Sequence, residues 1–136
     1  MKILKNRKWR ILLTIIIVIM LIAITGTMIY LIQVKNYQTR VENLTFSEID
    51  LKNIPDGTYI GDCNVEFIYA KVEATILDGK ITNINLLKHK NGHGAKAESI
   101  TNEIVSQQKI DVEVITGATN SSKVIKKAVE NALNQN

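Results

Sequence analysis

Residues Thr116-Gly117-Ala118-Thr119-Asn120-Ser121-Ser122 set four hydroxyls around a glycine and an alanine, immediately ahead of a helical pattern. Such a stretch can hold a phosphate. The pattern is Val124, Ile125, Ala128, Val129, Ala132 and Leu133, which recur at i, i+1, i+4, i+5, i+8 and i+9 and form one apolar stripe over about 120 to 133. The opposite face carries Lys123, Lys126, Lys127 and Glu130. The first N–H groups of a helix lack intrahelical partners and sit at the positive end of its macrodipole, so an anion is favoured there without any side-chain charge. Gly117 and Ala118 let a ligand approach the backbone, and Thr116, Thr119, Ser121 and Ser122 offer it hydroxyls. The same hydroxyls also suit a plain helix N-cap. Local chemistry leaves both readings open.

Asn91-Gly92-His93-Gly94 is the second polar, glycine-containing stretch, placed between a strand pattern and a helix pattern. Either Gly92 and Gly94 admit a ligand that His93 contacts, or the stretch is a strand-to-helix turn with an exposed histidine. His89 and His93 stand at i, i+4 but straddle Gly92, and spacing fixes no third ligand, so no metal site is expected. Cys63 is the sole cysteine, which excludes an intrachain disulfide, and it reads as a small strand residue. There is no Ser-His-Asp order, no carboxylate pair in a recognisable acid/base motif and no Walker-type loop.

The elements that must position these residues follow from turn signals and periodicity. Pro55 and Asp56-Gly57 open a domain, with strands predicted at about 57 to 62, 64 to 77 and 80 to 88. Asp78-Gly79 is the tight hairpin turn between the last two, because both positions of such turns favour positive φ. Helical spacing returns with Ala97, Ile100, Ile104 and Val105 and runs through Gln108. Val112-Glu113-Val114-Ile115 is a short extended stretch that delivers the chain to the motif. Together these make one small α+β domain, residues 55–136, with helices on one face of an antiparallel sheet.

Residues 11–32 contain no charge and are dominated by Ile, Leu, Val and Met. At about 1.5 Å per residue the run spans roughly 33 Å, enough to cross a bilayer's hydrocarbon core. A cleaved signal peptide is the competing reading, but the run exceeds the roughly 7–15 residues of its apolar region and no small-x-small site follows cleanly. A transmembrane anchor is therefore predicted, behind a basic cytoplasmic tail at 1–10 carrying Lys2, Lys5, Arg7, Lys8 and Arg10. Only Lys35 and Arg40, against Glu42, follow it, so the positive-inside rule sends the rest of the chain outward. Trp9 and Tyr30 sit near the two ends, where amphipathic rings favour the interface. The net charge of +4 is concentrated in that tail, which suits acidic lipid headgroups and lends no support to nucleic-acid binding. Residues 33–54 read as a juxtamembrane helix or linker.

The motif and much of residues 55 to 133 resemble the FMN-binding domain family. That family includes the C subunit of sodium-pumping NADH:quinone oxidoreductase, the G subunit of the related Rnf complex and small cell-surface flavoproteins. Asp56-Gly57-Thr58-Tyr59 resembles its opening strand, and the run from Val72 through Asp78-Gly79 to Ile84 its central hairpin. His89 to Gly94, followed by Ala97-Glu98-Ser99-Ile100, resembles the loop and helix that precede its attachment motif. Thr116, Gly117, Ala118 and Thr119 match that Ser/Thr-Gly-Ala-Thr motif, in which the last Thr receives FMN through a phosphodiester installed from FAD by a separate flavin transferase. The resemblance thus implies FMN as cofactor and Thr119 as its attachment residue, with Ser121 the second candidate. It also places Gly92, His93 and Gly94 against the flavin, and makes Tyr59 a candidate for stacking on it. Two departures stand out. Glu113 occupies the position, six before the attachment Thr, where the family usually has Asp, and Asn91-Gly92-His93-Gly94 replaces the Glu-Thr-Pro-Gly loop of the respiratory subunits. The second departure points to the small stand-alone branch.

Two functions follow. One is a single-pass membrane flavoprotein whose external domain carries electrons from a membrane dehydrogenase or quinol to an acceptor outside, the cofactor supplying the redox chemistry. The other is a module that binds a ligand non-covalently or scaffolds a membrane complex, without redox activity of its own.

Overall fold

The structure is a computed structural model and describes residues 6–135. Lys2 and Lys5 of the basic tail lie outside the described residues. The chain divides after Gln38 into two compact units. Of the first, the described residues from Arg7 on form helix α1, Arg7–Glu42, whose last residues belong to the second unit. An 18-residue window of α1 has a mean hydropathy of 2.8 and nothing of it is buried. Its polar side chains hide themselves: the hydroxyls of Thr14, Thr25 and Thr27 donate to the carbonyls of Arg10, Leu21 and Ala23 at 2.7, 2.9 and 2.8 Å. The helix is long and apolar enough to cross a membrane.

The second unit is α+β. Strands β1 (Gly57–Asn64), β2 (Tyr69–Leu77) and β3 (Lys80–Lys90) form one antiparallel sheet in the order β1-β2-β3. The central strand shows why: Ala70, Val72, Ala74 and Ile76 alternate inward and are buried, while Lys71, Glu73 and Thr75 alternate outward. Asp78 and Gly79 both take positive φ, 53° and 68°, as a two-residue hairpin requires. The second strand starts at Tyr69, not near 64, because Glu66 at φ 71° turns the chain and Val65 N–H bonds the Ile68 carbonyl at 3.0 Å. The β2–β3 register slips twice, leaving Thr82 and Leu87 as extra residues on β3. The second slip turns His89 onto the face of its partner Ala70, which is buried.

Two further helices follow, α2 (Ile100–Gln107) after a 3-10 turn at Ala95–Ser99, and α3 (Thr119–Leu133). The chain between them forms no strand and pairs in no sheet. Helix α3 lies on the sheet at its smallest residues: a β-carbon on Gly61 would come within 2.6 Å of Ala132 Cα. Side-chain amides at the end of α3 and just beyond it then close the β1 edge, with Asn131 Nδ2 donating to the Asp62 carbonyl at 2.8 Å and Gln135 Nε2 to that of Ile60 at 2.6 Å. Gln108 closes the β3 edge by meeting both the N–H and the carbonyl of Ile81, at 2.9 and 2.8 Å. Unpaired edges invite pairing with other chains, and these side chains occupy both.

Residues 39–54 belong to the compact unit. Helix α1 ends at Glu42, and the segment after it covers the side of α3 that reads as a solvated lysine face. Lys127 Nζ bonds the Thr45 carbonyl at 3.0 Å, Glu130 accepts from Ser47 N–H at 3.3 Å, and Lys126 Nζ lies 4.3 Å from the centre of the Phe46 ring. Lys126 and Glu130 are buried as a result.

Candidate functional site

The Thr116–Ser122 motif is a turn feeding a helix. Ala118 N–H bonds the Ile115 carbonyl at 2.9 Å across Thr116 and Gly117, and Gly117 takes φ 79°, the positive angle a type II turn needs at that position. Helix α3 begins at Thr119 with Ala118 as N-cap, and no side chain makes the cap bond. The first internal bond is Ser122 N–H to the Ala118 carbonyl at 2.9 Å, so the amides of Thr119 and Ser121 precede the intrahelical ladder. The hydroxyls split. Thr116 and Thr119 are exposed, whereas Ser121 and Ser122 are 2% and 0% exposed. Ser122 Oγ accepts from Ile115 N–H at 3.1 Å and so ties the stretch before the motif to the helix. Ser121 faces the other loop.

That loop is Asn91–Gly94. Gly94 is buried against Ser121, where a β-carbon would lie 2.7 Å from Ser121 Cβ, so Gly94 lets the loop and the helix start share one surface. Gly92 and His93 are exposed. A β-carbon on Gly92 or on Gly117 would meet nothing within 4 Å, leaving both stretches of backbone open to a ligand. On the far side of the motif a cleft of about 480 Å³ is lined by Glu103, Gln107, Glu113, Val114, Ile115 and Thr116. Glu103 and Gln107, on α2, carry no motif signal in the sequence.

Tyr59 is not part of this cluster. Its hydroxyl donates to the Pro55 carbonyl at 2.7 Å, and its neighbour Ile60 is held by Gln135 beyond the C-terminal end of α3. Thr119 starts that 15-residue helix, about 22 Å away at ~1.5 Å per residue. Cys63 is buried, and burial, opposed by Lys127 and reinforced by Asp62, pushes its thiol up to about 11. Such a thiol is inert as a nucleophile near neutral pH. No group of three or more His, Cys, Asp or Glu side chains suits a metal among the described residues.

An uncapped helix start, exposed Thr119 and Thr116, and two open glycine backbones have the chemistry and the room to receive a phosphate-bearing ligand. Residues 69–134 match the model of the FMN-binding domain family. This part of the chain belongs to that family. FMN is the cofactor of such a domain, and the residues fit it: its phosphate suits the positive end of α3, and Gly92 and Gly117 leave room for close approach. The match starts at β2, so β1 and residues 39–54 lie ahead of it. No curated protein and no solved structure matches the chain.

Proposed function

We propose that the protein is a membrane-anchored flavoprotein whose FMN is joined through its phosphate to Thr119. The observation that carries this reading is that α3 begins uncapped by any side chain, with Thr119 exposed at its first position. Stable helix starts usually recruit a capping oxygen, and an Ala at that position costs roughly 1 kcal/mol against Ser, Thr or Asn. A phosphodiester on Thr119 supplies the missing oxygens in covalent form. In the joining step Thr119 Oγ gives up its proton and bonds to the FMN-side phosphorus of FAD, and the bond to AMP breaks. The protein's part is then to hold the group by the amides of Thr119 and Ser121 and by the Asn91–Gly94 loop.

Helix α1 anchors the domain, and the basic residues ahead of its apolar run at 11–32, against few just after that run, favour an external domain. Attachment suits that location, because a dissociated flavin would be lost to the medium. The domain then passes electrons between a membrane dehydrogenase or quinol and an acceptor outside.

Intact mass of the full chain, co-expressed with a flavin transferase, tests the attachment. The expected result is a gain of one FMN less one water, lost in Thr119→Ala. An adduct that persists in Thr119→Ala refutes the assignment, and mapping it to Thr116, the other exposed hydroxyl of the motif, would move the attachment there.

A further inference from the structure

We propose that His89 is a positioning residue for the flavin site: from the end of β3 it bonds Glu98, beyond the Asn91–Gly94 loop, and so fixes that loop against the start of α3. The proposal rests on the flavin reading of the same site. His89 lies on neither the motif nor the loop, yet its side chain is 3% exposed at the end of a strand whose neighbours Lys88 and Lys90 are both exposed. Its Nδ1 lies 3.0 Å from Glu98 Oε1 and 3.2 Å from Asn91 Nδ2. Asn91 is the first residue of the loop and Glu98 lies in the 3-10 turn that follows it, and Nδ1 serves one of them at a time, since it must carry a proton to donate to the carboxylate and lack one to accept from the Asn91 amide.

The other ring nitrogen sharpens the argument. His89 Nε2 is buried with no hydrogen-bond partner, the sole such side-chain atom among the described residues. An unpaired buried polar atom is destabilising, and a leucine or methionine would fill the space without that cost. The imidazole is therefore suited to this place by what Nδ1 does. With its proton on Nδ1 the ring donates to an ionised carboxylate, one of the stronger kinds of hydrogen bond. The held loop delivers Gly94 to Ser121, two residues from Thr119, and Ala97 N–H closes back on the Gly94 carbonyl at 2.9 Å. Release of His89 frees Gly92 and His93 from their place beside the helix start, while Thr119 and the α3 amides stay as they are.

The test uses two readouts on the full chain in detergent. One is amide hydrogen exchange at Gly94 and Ala97 without flavin, and the other is the initial rate of flavinylation by a flavin transferase. An Asn amide nitrogen occupies the δ position of the imidazole, and a Gln amide the ε position. His89→Leu and His89→Gln are expected to speed exchange and slow flavinylation, each roughly tenfold, as loss of a hydrogen bond to a charged group implies, and His89→Asn to restore both. Glu98→Gln, at an exposed position that spares the core, is expected to reproduce the loss in weaker form. Native-like exchange or native-like flavinylation in His89→Leu overturns the proposal, as does equal loss in His89→Asn and His89→Gln. A native chain that takes no flavin overturns the flavin reading and this proposal together, whereas native uptake with unaltered His89 variants overturns this proposal alone.

Discussion

Gly94 packs against Ser121 with no room for a side chain between them: a β-carbon at 94 would stand 2.7 Å from Ser121 Cβ. Through this contact a loop distant in sequence meets the first turn of α3. Gly94→Ala is expected to push the loop off the helix, cost about 1–3 kcal/mol of stability as overpacking does, and slow flavinylation. Adding Ser121→Gly removes the obstructing side chain. Denaturant midpoints of the two single variants and the double should show a favourable coupling of about 1 kcal/mol or more. Additive losses would mean the close approach has no energetic role.

Ser122 tests whether the motif's hydroxyls have separable roles. Its Oγ is buried and holds Ile115 N–H, so Ser122→Ala strands a partly buried donor and is expected to cost about 1–3 kcal/mol. Thr119, the proposed attachment residue, is untouched. Chemical denaturation should register the loss, while intact mass still shows the FMN adduct. An absent adduct in a folded variant would place Ser122 in the chemistry instead.

Glu113 lines the cleft beside Thr116, at the position where the family usually has Asp. Its charge is that of Asp but its reach is one methylene longer. Flavinylation is expected to run faster in Glu113→Asp and slower in Glu113→Gln than in the native chain, read as initial rates by intact mass. One common rate would show that the transferase does not read this carboxylate.

Cys63 predicts a dependence on alkaline pH. Burial raises its thiol from 9.0 to about 11, so between these values the unfolded chain has released a proton that the folded chain retains. Unfolding is then favoured increasingly as pH rises through that window, and the contribution is complete below it. Denaturant midpoints should fall less steeply from pH 9 to 11 in Cys63→Ala than in the native chain. Parallel slopes would show that the thiol is not retained by the fold.

The sequence by itself determined the elements. An uncharged run with few polar residues, alternation in Tyr69–Leu77, the Asp78-Gly79 turn and the stripe Val124 to Leu133 are local patterns, and local patterns set strands, turns and helices. The Thr-Gly-Ala-Thr motif was legible for the same reason, since its residue types and spacing are what the chemistry needs. Which hydroxyls face solvent was not, because Thr119 and Ser121 differ only by the rotation of a helix, and the rotation that buries Ser121 depends on where Gly94 arrives. Only tertiary structure could remove Tyr59 from the site, by running β1 against α3 so that it ends far from Thr119. It also joined residues 39–54, part of the expected juxtamembrane helix or linker at 33–54, to the compact unit, because Lys126, Lys127 and Glu130 find partners in Phe46, Thr45 and Ser47. Periodicity reports which side of a helix is polar. It does not report whether water or another stretch of backbone satisfies those charges, because that choice depends on segments some 80 residues away in the chain.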